Sequence, residues 1–354
     1  VLEKQLKVWF LRTLKQWHLS KNKRQMPWKG EKNPYKIWLS EVILQQTRVE
    51  QGWAYYERFI KRYPTVHHLA QSVDNEVFKL WEGLGYYNRC RNLLSTARMV
   101  SKELGGNFPT TKEGLLQLKG VGNYTAAAIG SFAFGLPLAV VDGNVYRIIS
   151  RILGIEEPID QPKGKGLFEQ LADELLDKKE PAGHNQAMMD FGATVCTPKN
   201  PICDGCPFAV KCVAFNKSLQ HKLPVKAKKV KTKNRFLYYL ILEYKNQRLV
   251  RKRGQGDIWK DLHEFFLVEK DEPADDRSLK SNEFWSKQKL FSANQIQYLS
   301  DQLIHQLTHQ KIHSRILKVS ISKKIDIVGY DWVGRTQFKK IAFPRLLTRF
   351  LETY

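Results

Sequence analysis

Apolar positions in the first part of the chain recur at helical spacing. The stretches Tyr35 to Thr47, Asn75 to Trp81, Arg89 to Leu104 and Gly183 to Val195 each place apolar side chains three or four residues apart. Residues 1 to about 215 therefore read mostly as helices, punctuated by Gly105-Gly106 and Pro109. The pattern stops at Lys217 to Arg235, which holds eight Lys/Arg and no acid. That is the composition of a linker, and one that could also lie along phosphates. Beyond it, Phe236 to Tyr244 and Arg248 to Arg253, joined through Lys245-Asn246-Gln247, predict a β-hairpin. Val319 to Ile325 predicts another strand, and Arg345 to Tyr354 a closing helix. The expected organisation is a helical domain over 1–216, a basic linker over 217–234 and an α+β domain over 235–354. No repeat of solenoid type is present.

A chain of 354 residues is long enough for two such cores. Composition adds a partner. The 58 Lys and Arg exceed the 35 Asp and Glu by 23 charges, which favours a polyanion. Nucleic acid fits better than a membrane surface, because no basic helix with a broad apolar face is evident. No apolar run is long enough to cross a bilayer. Val1 to Phe10 carries charges throughout and has no signal-peptide core. The first residue is not Met, which suggests a processed or trimmed start.

Four of the five cysteines fall in one stretch, Cys196-x6-Cys203-x2-Cys206-x5-Cys212. Thiolates so close in sequence point to a soft metal centre rather than to disulfides, and so to a reducing interior. Four cysteines are the usual holder of a 4Fe–4S cluster. They also suit a structural zinc, although zinc sites usually pair two Cys-x-x-Cys clips and only one is present. Cys90 lies apart in a helical stretch and reads as a buried thiol.

Leu118-Lys119-Gly120-Val121-Gly122-Asn123-Tyr124 joins two helical stretches, the second rich in alanine. Two glycines around one apolar residue allow a tight turn and a close backbone approach. The free N–H groups of the second helix suit a phosphate oxygen. The segment resembles the helix-hairpin-helix that binds DNA without reading sequence. With Asp142 in Val141-Asp142-Gly143-Asn144-Val145 and the cysteine loop, the chain resembles the endonuclease III superfamily of DNA glycosylases. Trp38-Leu39-Ser40-Glu41-Val42-Ile43-Leu44-Gln45-Gln46-Thr47-Arg48-Val49 and Gly83-Leu84-Gly85-Tyr86-Tyr87 are similar to the MutY branch, the adenine DNA glycosylases. The resemblance runs from about residue 5 to the C-terminus, nearly the whole chain.

The resemblance implies a mainly α helix-hairpin-helix glycosylase domain with an iron–sulfur cluster loop, followed by a MutT-like (Nudix-like) α+β domain. It implies base excision repair: hydrolysis of the bond between sugar and adenine mispaired with 8-oxoguanine or guanine, after the adenine leaves the stack. Two carboxylates would share the work, as in glycoside cleavage. Glu41 is implied as the acid that serves adenine N7, and Asp142 as the stabiliser of the sugar cation. Apolar neighbours Trp38, Val42 and Leu44 should dry Glu41 and raise its pKa. Asp142 should stay ionised at a helix start, with Asn144 ordering it and the attacking water. Tyr124 stands where lyase relatives carry a nucleophilic lysine; a phenol cannot form the Schiff base, so the reaction should leave an abasic site.

Gln46 and Tyr86 are implied as wedges into the duplex, and Arg24, Trp28 and Lys29 as the wall that meets the flipped base. Gly120, Val121 and Gly122 should contact the DNA backbone. Cys196, Cys203, Cys206 and Cys212 should hold a 4Fe–4S cluster, with Lys199 and Lys211 offered to phosphates. The second domain lacks the acidic series of a nucleotide pyrophosphatase, so it should bind and not hydrolyse. Leu307-Thr308-His309 aligns with the family's Phe-Ser-His reader of 8-oxoguanine, with Thr308 and His309 as the reading pair. The expected partner is double-stranded DNA, the expected state a monomer without a membrane, and the expected location the cytoplasm (bacterial nucleoid). Two alternatives share many of these features: an endonuclease III-like lyase for oxidised pyrimidines, and a non-catalytic DNA-binding protein. An electron carrier is a third, which the basic surface and the hairpin oppose.

Overall fold

The Pro34–Leu44 helix is apolar on almost every side, and it is buried on almost every side. Asn33 caps its start, the side-chain oxygen accepting from the N–H groups of Tyr35 and Lys36, and Pro34 occupies the first turn. Ile37, Trp38, Leu39, Val42 and Ile43 are all buried, and so is Glu41. The computed structural model describes residues 2–227, 232–286 and 289–353. It divides into two compact units, one taking residues 1–71 and 91–229, the other 72–90 and 230–354.

The first unit is helical among its described residues. The Asn123–Phe134 helix packs on the Pro34–Leu44 helix. Its Ala126, Ala127 and Ala128 are all buried. The turn before it needs Gly120, whose φ is +79°. A Cβ there would also lie 2.8 Å from Asn92 Cβ. The Gly143–Leu153 helix is capped by Asp142 and closed by Gly154 in the left-handed region. Its apolar side, with Val145, Ile148, Ile149 and Ile152, shares a core with Phe10, Leu14, Trp17, Phe168, Phe191 and Phe208. Three of the four clustered cysteines pack against that same core.

The expected helices are present, at Pro34–Leu44, Asp74–Trp81, Asn88–Lys102 and Pro181–Thr194. The basic stretch is a linker over less of its length than its composition suggests. Val225 accepts from the Ile159 N–H at 3.0 Å, and Ala227 donates to Asp160 Oδ1 at 2.9 Å. Residues 228–231 of the expected linker lie outside the described residues.

In the second unit the strands are β1 (Lys233–Tyr244), β2 (Gln247–Lys252), β3 (His263–Glu264), β4 (Phe266–Lys270), β5 (Ile296–Leu299), β6 (Leu303–Gln306), β7 (Gln310–Ser320) and β8 (Asp331–Gly334). They order as β3-β2-β1-β7-β5, with β4 also on β1, β6 on β7 and β8 on β2. β1 and β2 form the expected hairpin, with Tyr244 opposite Gln247. β1 and β7 run parallel. Both faces of β1 are covered, so it reads as a continuous apolar run. Leu237, Tyr239 and Ile241 meet Leu346, Leu347 and Phe350 of the closing helix, Arg345–Thr353. Tyr238, Leu240 and Leu242 meet Leu279 and Trp285 on the other face.

The strand expected over Val319 to Ile325 is a correction. β7 ends at Ser320, and its run begins at Gln310 instead. Ser322-Lys323-Lys324 breaks the alternation, and Ile325 reaches the core from a loop. Residues 72–90 belong to this unit. The Phe343 N–H donates to Glu82 Oε1 at 2.8 Å.

Gly120→Ala should destabilise the protein by about 1–3 kcal/mol, the usual cost of a forced left-handed residue. Thermal or urea unfolding measures it, and an unchanged midpoint would mean that the turn adapts freely.

Candidate active site

Glu41 and Asp142 reach the same place from different helices. With Tyr124 and Asn144 they line a cavity of about 420 Å³, a size suited to a small-molecule ligand. Arg24, Trp28, Lys29, Gln186 and Met189 line other parts of it. Glu41 projects from the last turn of the Pro34–Leu44 helix and is only 6% exposed. Its Oε2 is buried without a hydrogen-bond partner. Burial pushes its pKa up to about 7; the Tyr124 phenol opposes that and the Asp142 charge adds to it. The phenol stands beside Glu41 and also reaches Met189 Sδ at 3.8 Å. Burial, first, and the two carboxylates, second, hold Tyr124 well above the usual phenol range. It is a neutral hydroxyl at working pH.

Asp142 is an N-cap. Its Oδ1 accepts from the N–H groups of Asn144 and Val145, both at 2.8 Å. Its Oδ2 accepts from Asn144 Nδ2 at 2.6 Å. Helix position and three donors favour the anion, yet burial outweighs them and the pKa lies above the ordinary aspartate value. The expectation from the helix start alone left that burial out. Arg147 continues the chain of contacts. It donates to Asn144 Oδ1 at 2.7 Å, to Gly192 O at 2.7 Å and to Cys196 O at 2.6 Å. The Pro181–Thr194 helix comes close enough for this because residue 192 has no side chain; a Cβ there would sit 2.5 Å from Asn144 Cβ.

The wall of the cavity rests on a residue that sequence reasoning missed. Asp190 is fully buried. It accepts from Arg24 Nη1 at 3.0 Å, Asn22 Nδ2 at 2.8 Å and Gln186 Nε2 at 2.9 Å, and it pairs with Lys29 Nζ at 3.0 Å. The signal was available: Ala187-Met188-Met189-Asp190-Phe191-Gly192 sets one acid in an apolar helical run, and a buried carboxylate has to be paired. Trp28 is fixed from behind by Tyr56, ring edge to face at 5.2 Å.

Other expected site residues lie elsewhere. Gln46 is exposed just past the Pro34–Leu44 helix, with φ +58°. Of the hairpin residues, Gly120 and Gly122 are exposed, while the Val121 side chain is buried. Val121 can thus offer backbone but not side chain to a ligand. In the second unit Tyr86 is 48% exposed, with φ +48°. Its hydroxyl is 2.8 Å from that of Thr308. Thr308 and His309 sit exposed in the turn between β6 and β7.

The four clustered thiols line one small cavity with Ile152, Phe191 and Phe208, and all four are free. Burial raises Cys203 and Cys212 above the ordinary thiol range and pushes Cys206 up to about 12. Thiolates there need a cationic partner. Arg151 Nη1 lies 3.4 Å from Cys196 Sγ. Among the described residues no three His, Cys, Asp or Glu side chains converge as ligands of one ion. Four thiols lining one cavity match the four-cysteine ligand set of an iron–sulfur cluster. The residues present fit such a group.

The HhH-GPD superfamily of base excision DNA repair proteins matches residues 39–175, and the NUDIX domain matches residues 237–353. An adenine DNA glycosylase of Buchnera aphidicola subsp. Schizaphis graminum is 31% identical over 98% of each chain. The chain belongs to the adenine DNA glycosylase family. As a member of it, it is a DNA glycosylase. The adenine DNA glycosylase of Rattus norvegicus is 43% identical over 60% of this chain and 43% of its own. Among solved structures, a thermostable thymine-DNA glycosylase superposes with a TM-score of 0.56 at 28% identity, covering 60% of this chain and 98% of its own. An endonuclease III trapped as a covalent intermediate with DNA does so with a TM-score of 0.54 at 24% identity, covering 62% and 100%; at that identity the likeness is one of fold. No described helix is long and apolar enough to cross a membrane.

The raised pKa of Glu41 makes a stability prediction. Between the ordinary value of 4.5 and about 7 the folded chain keeps a proton that the unfolded chain has lost. Stability therefore falls as pH rises through that window, by roughly 3 kcal/mol for this group alone. Glu41→Gln removes the penalty. Its melting temperature should gain on the parent protein's as the buffer moves from about pH 5 to about pH 8. A constant difference across that range would count against the buried neutral acid.

Proposed function

We propose that the protein removes adenine mispaired with 8-oxoguanine or guanine from double-stranded DNA by hydrolysis, leaving an abasic site. The single observation that carries this is one cavity lined by an acid with a pKa of about 7 and a second carboxylate held by three donors. Cleavage of an N-glycosidic bond asks for those two roles. The adenine DNA glycosylases among the relatives support the choice of base.

In this reading the adenine is extruded into the cavity. Glu41, half protonated near neutral pH, gives its proton to N7. The pair of electrons in the C1′–N9 bond leaves with the base, and the sugar becomes an oxocarbenium ion. The Asp142 carboxylate faces that cation, held in place by the Asn144 and Val145 N–H groups and by Asn144 Nδ2. Preorganised charge of this kind needs no rearrangement as the cation forms. A water then adds at C1′ and gives its proton to Glu41, which was left as a carboxylate by the first step. Tyr124 brings a hydroxyl but no amine, so no Schiff base forms at that position.

Outside the cavity, Gln46 and Tyr86 are the wedges into the duplex, and the backbone of Gly120, Val121 and Gly122 meets a phosphate. Thr308 and His309 read the 8-oxoguanine edge. Cys196, Cys203, Cys206 and Cys212 would hold a 4Fe–4S cluster, which when bound supplies metal–thiolate bonds that close the loop. Lys199 and Lys211 on that loop face solvent and would meet phosphates. The enzyme acts as a monomer in the cytoplasm, at the bacterial nucleoid.

Base release from duplexes carrying adenine opposite 8-oxoguanine, guanine or thymine tests the reading. Adenine should leave the first two, and strand breaks should appear only after alkali. Breaks without alkali would instead favour a lyase. Glu41→Gln should slow release by ~10²–10⁴-fold, the usual worth of a general acid, with DNA affinity little changed. A variant that keeps more than half the normal turnover would overturn the assignment.

The reader is tested separately. Thr308→Ala with His309→Ala should shrink the preference for 8-oxoguanine over guanine in a binding titration. An unchanged preference would place recognition elsewhere.

A further inference from the structure

We propose that Asp190 decides which purine the cavity accepts, by fixing the orientation of the Gln186 side-chain amide. The inference rests on the adenine reading above and goes beyond it. Asp190 does not line the cavity, so it is a positioning residue. Gln186 does line it.

The argument is one of donors and acceptors. A carboxylate only accepts, at about four lone-pair sites. Asp190 has four partners, Asn22, Arg24, Lys29 and Gln186, and each gives it an N–H. The carboxylate is saturated and fully buried. Arg24 and Lys29 can only donate, so they would bind it in any case. The Gln186 amide is different, because it has a donor end and an acceptor end. Beside Asp190 only the donor end is tolerated, and Nε2 lies 2.9 Å from Oδ1. A flipped amide would set Oε1 against a buried carboxylate oxygen. Gln186 is therefore locked, and Oε1 is the end it can turn to a ligand.

That polarity selects among purines. The 6-amino group of adenine donates and matches Oε1. The 6-oxo group of hypoxanthine or guanine accepts, and opposes it. A purine without a substituent at C6 neither gains nor clashes. Arg24 and Lys29 cannot make the distinction themselves, since both are donors and both are drawn toward Asp190. Lys29 also donates to Arg24 O at 2.7 Å.

Asp190→Asn tests the lock. Asparagine keeps the size but can itself donate, so the Gln186 amide becomes free to turn. Single-turnover release of adenine, hypoxanthine and unsubstituted purine would be measured from otherwise identical duplexes. The parent protein should favour adenine. In Asp190→Asn the ratio of adenine to hypoxanthine should fall on the order of ten-fold, the worth of a hydrogen bond made or opposed. Gln186→Met removes the amide and leaves Asp190 its other three partners. It should lower the ratio of adenine to purine by a similar factor. A common slowing of all three bases with the ratios kept, in either variant, would overturn the inference and leave Asp190 a purely architectural role. Should Asp190→Asn fail to fold, unchanged ratios in Gln186→Met would still overturn the inference. A parent protein that releases none of the three bases would instead sink the adenine reading itself.

Discussion

Burying a carboxyl group among apolar side chains is costly, and the first unit is arranged round one that is buried. Glu41 sits on a helix whose other buried residues are nearly all apolar. Water would ionise it at neutral pH; the protein keeps it close to half protonated by withholding water. That demand sets the surroundings. The Pro34–Leu44 helix has to be enclosed, so an alanine-rich helix packs on it. The second carboxylate has to be stabilised by other means, so it caps a helix. Burial raises the pKa of both acids, but only Asp142 has three donors to favour its anion, and chemistry that needs an acid and an anion together can use such a pair.

Rigid supports beyond the cavity keep that difference. Asp142 is fixed by Asn144, Asn144 by Arg147, and Arg147 by Gly192 O and Cys196 O. Asp190 does the same for Arg24, Lys29 and Gln186. In both places a buried charged group is tolerated because nearly every donor or acceptor it carries is matched. The cost of leaving any one unmatched makes these supports stiff.

Much of this was legible in the chain. Helical spacing located the Pro34–Leu44, Asp74–Trp81, Asn88–Lys102 and Pro181–Thr194 helices to within a few residues, because each carries its own periodic face. The hairpin of β1 and β2 was legible from a polar turn between apolar runs. Long-range features were not. The parallel pairing of β1 with β7 joins segments far apart in sequence, and no local pattern encodes it. The strand expected over Val319 to Ile325 failed because apolar residues reach the core from a loop as well as from a sheet. Glu41 and Asp142 came from resemblance to a family, since neither stands out among the acids by spacing. Asp190 could have been suspected from an acid in an apolar run, but its partners at residues 22, 24 and 29 could not.

The second unit takes a piece of chain from the middle of the first. Residues 72–90 are counted with it, Glu82 receives the Phe343 N–H, and Tyr86 meets Thr308. A protease that trimmed the chain at the basic linker would therefore remove more than a C-terminal module. It would take from Glu82 its Phe343 N–H and from Tyr86 its Thr308 hydroxyl.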